Sequence, residues 1–430
     1  MKGIKEKLGS RGIDRLENLI IVALVCLALF LIPRSGLSEN VTGQGTGTGT
    51  ESLVSGVQDT ALSRGTPTRM VVQTGQGRFG IQYDQSQTEG LYRDGFDQLL
   101  LAAVEAMDTV TSATREDWQS ALGQTGSWVY YDFLYNVSFT SQNSRGEGAG
   151  RLFLLTSRGG RVDTIYYYND ETQDYYQGQL RETLTLPRSL EVLSPNGARF
   201  AFEVPEVAQL LWANMVLLPQ AALCPVYLAA NPLAAMDESG RQALLETMDF
   251  NLRTAAVYEA ADGTVIQEGS DTLRLQTNGR LSFHGAESGQ ARYQALSARE
   301  KDLQIKAEEI LEAVTTDWRG EAGLRCQSIR TLEDGQVELT FCYLLNGTPV
   351  QLWDEGWAAR FVFSGSDLMS FTICLRRYTG TDQTLQALPE RQAAAAASAL
   401  GQAGKELQLC YLDTGTGEMV TADWTVREGT

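Results

Sequence analysis

Histidine is almost missing from this 430-residue chain: His284 is the only one. That excludes multi-histidine metal sites, and it excludes a His-paired nucleophile unless His284 itself is the base. His284 falls in a predicted strand, Leu281-Ser282-Phe283-His284, beside Gly285, where a structural or solvent-exposed histidine is expected. Lysine is nearly as scarce beyond the first few residues, with Lys301, Lys306 and Lys405 alone. Lys301 and Lys306 fall on the charged side of a predicted helix and read as solvated. No Ser-x-x-Lys or Gly-x-Ser-x-Gly occurs, so serine chemistry of those two kinds has no motif to stand on. Cys-x-x-Cys is absent too, which removes zinc ribbons and thioredoxin-like redox sites. The tract at residues 43–49 is glycine-rich but has no Lys-Ser/Thr ending and no preceding strand, so it is not a phosphate loop. No catalytic residue, metal or cofactor is therefore expected.

Long apolar runs are lacking as well, with one exception at Leu19–Ile32. Lys2, Lys5, Lys7, Arg11 and Arg15 precede it, and Pro33 follows. The basic bias on its N-terminal side places the N-terminus in the cytoplasm and the bulk of the chain outside. The run spans ~21 Å as a helix, short against a bilayer core of roughly 30 Å, and Leu16 lengthens it. The competing reading is a cleaved signal peptide, whose apolar core is normally about 7–15 residues. Pro33, Arg34 and Leu37 occupy most of the places a small-x-small cleavage site needs, so an uncleaved single-pass anchor in the cell membrane is the expectation. Leu19, Val22, Ala23 and Cys26 are its candidate partner-contact residues.

The net charge is −18, and the leader's basic residues make the remainder more acidic still. Such a field repels nucleic acid and anionic headgroups. Five of the six cysteines follow the apolar run. Cys326 and Cys342 flank a predicted turn at Glu333-Asp334-Gly335, and a three-residue loop would set them opposite each other. They are either a disulfide or two reduced, half-buried thiols.

The pattern along the chain predicts a cytoplasmic leader (1–15), the anchor (16–37), a flexible linker (38–66) and three folded segments. The linker holds Gly43-Gln44-Gly45-Thr46-Gly47-Thr48-Gly49-Thr50, which can bury nothing. In the first segment, 67–189, the stripe Phe96, Leu99, Leu100, Ala103, Val104 and Met107 predicts a helix over 92–110. Aromatic, β-branched strands follow at 128–139, 152–156 and 162–168. The middle segment, 190–290, opens with a helix from Pro205 to Met215 and continues as a β-meander punctuated by Asp262-Gly263 and Asn278-Gly279. The last segment, 291–430, has a capping-box pattern at Ser297 and Glu300 before a helix to Thr315, then Trp318 and paired strands. The expected fold class is α+β: a transmembrane helix followed by two or three extracytoplasmic domains of antiparallel sheet with packed helices. The first and last segments share the order helix, Trp, strands, and are candidates for a duplicated module.

Two surface candidates stand out. Arg376-Arg377-Tyr378 ends a strand and suits an acidic partner or ordinary cross-strand pairing. In Tyr166-Tyr167-Tyr168, successive residues face opposite ways, so Tyr167 is a candidate for an exposed face or for sheet core. Asn40, Asn136 and Asn346 fit the Asn-x-Ser/Thr acceptor pattern.

Several stretches resemble the YycH/YycI accessory proteins of Gram-positive bacteria. They are Leu16-Glu17-Asn18-Leu19 entering the apolar run, Met248–Asn251, Tyr258–Val265, Thr272–Leu281, Val337–Tyr343, Asn346–Val350 and Leu375–Tyr378. The resemblance covers about residues 16–35 and 245–430, through strand-and-turn patterns rather than catalytic signatures. It implies a non-enzymatic regulator whose partners are a WalK-type sensor histidine kinase in the membrane and, with it, a second accessory protein. Contact would be made through the membrane helix and ectodomain, and the kinase's two-component system would govern cell-wall metabolism. The rival is an anchored extracytoplasmic protein that binds or hydrolyses wall glycan or peptide. A cleft lined by carboxylates and aromatics favours the rival, and an exposed apolar or Tyr-rich patch favours the regulator.

Overall fold

The aromatic and β-branched runs of the first segment form a seven-stranded sheet in the computed structural model, which describes residues 65–140, 147–285, 291–352, 355–415 and 418–427. The leader, the apolar run with Leu19, Val22, Ala23 and Cys26, and nearly all of the linker lie outside those residues. Among the described residues, no helix is long and apolar enough to cross a membrane.

The first segment runs β1 (Arg69–Thr74), β2 (Gly77–Gln82), α1 (Gln85–Leu91), one π-helical turn, α2 (Asp97–Ala106), β3 (Met107–Ala113), α3 (Arg115–Leu122), β4 (Trp128–Thr140), β5 (Glu147–Arg158), β6 (Arg161–Asn169) and β7 (Asp174–Thr185). The sheet order is β2-β1-β4-β5-β6-β7-β3, antiparallel throughout. The predicted stripe is buried, Met107 included, but the helix it implied is broken twice. Gly95 at φ +92 interrupts it near its start, and at Met107 the chain becomes an edge strand on β7. The β-branched Thr109-Val110-Thr111 run suits a strand once β7 offers a free edge, so tertiary pairing overrides helical periodicity there.

The expected helix from Pro205 to Met215 is also absent. Residues 204–211 make hydrogen-bonded turns, but the Trp212 amide donates to the Lys405 carbonyl (3.0 Å) instead of continuing a helix. Val204, Val207, Leu211 and Met215 still reach the core.

Beyond a two-strand ladder, β8 (Arg199–Phe200) with β9 (Val216–Leu217), come β10 (Leu223–Ala230), α4 (Glu238–Thr247), β11 (Ala256–Ala260), β12 (Gly263–Glu268), β13 (Asp271–Gln276), β14 (Arg280–His284) and α5 (Glu300–Thr315). The chain then forms β15 (Gly323–Thr331), β16 (Val337–Leu345), β17 (Thr348–Leu352), β18 (Ala359–Ser364), β19 (Asp367–Cys374) and β20 (Arg377–Gln386). It ends with α6 (Glu390–Ala399), β21 (Leu407–Asp413), β22 (Met419–Val420) and β23 (Ala422–Val426). The β-meander is present, but its last strand pairs with β19 from the following segment. One eleven-stranded sheet therefore crosses the boundary expected at 290/291, and β10 crosses it again by pairing with β20. Among the described strand pairs, only β17 with β21 is parallel. The protein is thus mixed α+β, mostly antiparallel sheet with few helices.

Helix α5 covers the large sheet with Leu303, Ala307, Leu311 and Val314. Each fully buried Leu or Val there contributes roughly 1.5–3 kcal/mol. Its capping box does not form: Arg299 is the N-cap residue, and the Ser297 hydroxyl donates to Asp302. The candidate duplicate modules share the four-strand meanders β4-β5-β6-β7 and β15-β16-β18-β19, but differ in closure. The preceding hairpin joins the first meander strand in one (β1 on β4) and the last in the other (β14 on β19).

Candidate functional site: a charged core and the cleft above it

Three charged residues are buried within otherwise apolar strands. Arg69 on β1 and Asp132 on β4 are direct cross-strand partners, and Arg151 lies on β5. Strand β4 bulges here: Asp132 pairs with Leu152 and Val137 with Gly150, so residues 133–136 stand opposite Arg151 alone. Leu134 takes φ +66, and its amide donates to Asp132 Oδ1 (2.7 Å), so the carboxylate holds the bulge closed. Glu406, just before β21, enters from the C-terminal segment. It accepts from Arg69 Nη2 (3.1 Å) and Arg151 Nη1 (2.6 Å). Arg151 also reaches Asp132 (3.1 Å) and Asp170 (3.1 Å), and Arg427 pairs with Asp170 (2.6 Å). Three guanidinium groups thus face three carboxylates. Burial alone would raise the Glu406 pKa, but attraction to Arg151, with Arg427 and Arg69 behind it, holds the carboxyl well below its usual range. Glu406 is a fixed anion, suited to holding the two segments together rather than to moving protons.

Above this core opens a cleft of ≈940 Å³. One wall is a face of the large sheet where β16 parts company with its neighbours: Val337–Phe341 pair with β18, and Tyr343–Leu345 pair with β17. The other wall is the β4 bulge and the turn after β6. There the Asn136 amide donates to Asn169 Oδ1 (3.0 Å) and its carbonyl accepts from the Asp170 amide (2.9 Å). With its amide so occupied, Asn136 is a poor glycan acceptor. The cleft is rich in carboxylates, but most of them are engaged: Glu338 with Arg360 (2.6 Å), Glu355 with Arg280 (2.8 Å), and Asp170 with Arg151 and Arg427. Trp357 supplies a half-buried indole at its rim.

Apart from Asn136, the sequence-selected residues land away from this site. Tyr167 is buried, stacked on Tyr176 (4.8 Å between rings), so its candidacy as an exposed contact fails. Both faces of its sheet are covered, one by α1 and α2 and the other by α3 with residues 198–218, so neither side of β6 meets solvent broadly. Arg376 is also buried and makes two 2.8 Å bonds to Asp413, which the Tyr378 hydroxyl shares. Arg377, one residue on, is exposed. It pairs with Ala230 across β10–β20, on the outer face of a three-stranded sheet where Leu228 lies between Thr379 and Met419. Leu228 and Met419 are 48% and 57% exposed. His284 is exposed at the end of β14.

Cys326 and Cys342 are free, and they are not opposite each other. The turn has the expected register from Thr331↔Val337 to Ser328↔Thr340. A bulge at Gln327 then shifts the ladder by one, so Cys326 faces Phe341 and Arg325 faces Cys342. A one-residue slip sends a side chain to the opposite face, which separates the two thiols.

Arg69, Asp132, Arg151 and Glu406 escaped the sequence reading because their partners lie up to 337 residues apart. A signal was present: single charges inside Arg69-Met70-Val71-Val72, Tyr131-Asp132-Phe133 and Arg151-Leu152-Phe153 interrupt runs that are otherwise buried.

The fold defines a mixed α+β protein with an interlocked charged core and an adjoining polar cleft. No protein-family model matches the chain, and no curated protein or solved structure matches it.

Proposed function

We propose that this chain is a membrane-anchored extracytoplasmic regulatory protein that modulates a two-component sensor kinase controlling cell-wall metabolism. It would be held by a transmembrane helix over 16–37 and act through helix and ectodomain contacts, without catalysis. The resemblance to YycH/YycI proteins and the basic-flanked apolar run motivate the reading. The structural observation that carries it is the outer face of the β10–β20–β22 sheet. Leu228 and Met419 lie exposed there beside Arg377, on a sheet whose inner face is core. A protein without a reaction of its own can signal only by binding a partner's two states unequally. Crosslinking in the native membrane, followed by identification of the captured proteins, tests the reading. A sensor kinase is the expected capture, and its absence from well-solubilised membranes would overturn the proposal.

A second reading, an anchored protein that binds or hydrolyses wall glycan or peptide, draws on the cleft and its carboxylates. Turnover of wall fragments by the purified chain, lost on substitution of a cleft carboxylate, would favour hydrolysis over regulation.

A further inference from the structure

Two amide side chains at the cleft each leave one buried polar atom without a hydrogen bond. Gln408 on β21 is 6% exposed, lines the cleft, and its Nε2 makes no hydrogen bond. Gln327 on β15 lines the same cleft, and its buried Oε1 accepts none. Leaving a buried donor or acceptor unmatched is costly, so such groups point to a ligand or solvent that completes them. Gln327 is also the bulge residue of β15, the one position where that strand leaves its register. Bulges recur where a side chain is re-aimed beside a functional site. The two side chains, one from β15 and one from β21, line a single cavity.

The charge of the cleft narrows what fits. Asp170, Glu338 and Glu355 are spoken for by arginines, so little free negative charge is left to attract a cation. Charges of both signs line the cleft, Glu171 and Glu338 with Arg330 and Arg427, so an anion meets no field of one sign either. A neutral ligand that both donates and accepts hydrogen bonds satisfies the two glutamines, and a sugar hydroxyl or acetamido group does both. Trp357 lines the cleft as well, and an indole can pack against the apolar face of a sugar. At ≈940 Å³ the cleft is at the upper end of small-molecule sites, which favours an oligosaccharide over a single sugar.

We infer that the cleft between the β4 bulge and the β15–β16–β17–β21 face is a binding site for a neutral oligosaccharide, with Gln408 and Gln327 as its central hydrogen-bonding pair. The inference rests on the cleft and not on contact with a kinase.

The test is calorimetric titration of the full chain, held in a detergent without sugar groups, with chitotetraose as the neutral probe. A chitosan tetramer serves as the cationic comparison and a neutral tetrapeptide as the peptide comparison. Saturable binding of chitotetraose is expected, weakened at least tenfold by Gln408→Leu and severalfold by Gln327→Ala, with far-UV circular dichroism unchanged. Gln327 is the less buried of the two, so its variant carries the test if Gln408→Leu does not fold. No saturable binding of the neutral sugar at millimolar concentration, tighter binding of the peptide or the cationic probe, or indifference to both substitutions would overturn the inference. Kinase crosslinking is read separately. Sugar binding without kinase capture leaves the cleft assignment standing and removes the regulator reading, and the converse result does the reverse.

Discussion

Substituting Glu406 by Gln probes how the two ends of the described chain are held together. The side chain is nearly buried and meets Arg151 at 2.6 Å, Arg69 at 3.1 Å and Arg427 at 3.5 Å. The Gln variant keeps the volume but leaves three guanidinium groups facing only Asp132 and Asp170. An uncompensated buried charge of this kind costs about 3–5 kcal/mol. Glu312, an exposed carboxylate paired with Arg319, is the control, and Glu312→Gln should cost under about 1 kcal/mol. The effect also has a pH signature. Because Glu406 is held below its unfolded pKa of roughly 4.3, its ionic contribution is complete at neutral pH. It fades as pH falls through that value toward the folded one. The gap between wild type and Gln variant should therefore narrow in acid. Urea unfolding followed by tryptophan fluorescence reads it, and Trp212, whose ring lies 5.0 Å from the Arg151 guanidinium, reports locally. A cost under about 1 kcal/mol at pH 7, or a gap that stays constant from neutral pH to about pH 3, would refute the reasoning.

Gly320 sits at φ +66, and a Cβ there would lie 2.1 Å from the Tyr378 carbonyl, so Gly320→Ala should cost about 2 kcal/mol or more. Gly335→Ala, at φ +82 in open space, should cost only about 1 kcal/mol, and equal losses in thermal melts would count against the packing account. The described cysteines should resist a thiol reagent at pH 8 without denaturant, because burial pushes Cys342 up to about 11 and Cys374 and Cys410 up to about 12. A Cys326–Cys342 crosslinked peptide in the mass spectrum would contradict the bulged register. Arg376→Gln should cost about 3–5 kcal/mol through the stranded Asp413, while Arg377→Glu should leave stability within about 0.5 kcal/mol and reduce kinase crosslinking. Similar stability losses at the two neighbours would sink that distinction. Replacing Leu19–Ile32 by an unrelated membrane helix should abolish regulation with the ectodomain still folded, and unchanged kinase output would reduce the helix to a tether.

Much of the secondary structure was legible because it depends on local pattern. The meander over 256–284 follows from its Asp-Gly and Asn-Gly turns, and α5 follows from its apolar stripe. Two of the misreadings share one cause. At Met107 and Trp212, a partner far along the chain offered the backbone a hydrogen bond that ended the local pattern: the edge of β7 in one case, the Lys405 carbonyl in the other. The Cys326–Cys342 expectation was off by the single residue of the Gln327 bulge, which no turn rule encodes.

The sequence alone determined the α+β class, the buried stripes, and the scarcity of groups for histidine- or lysine-based chemistry, since each is a property of composition or short-range period. Only the tertiary structure decided which charges are interior. It buried Arg376 while exposing Arg377, enclosed Tyr167 between two covered sheet faces, and drew Arg69, Asp132, Arg151 and Glu406 into one balanced cluster beside a cleft. Burial and charge pairing depend on what packs against a residue from elsewhere in the chain, and that is not written in its neighbours.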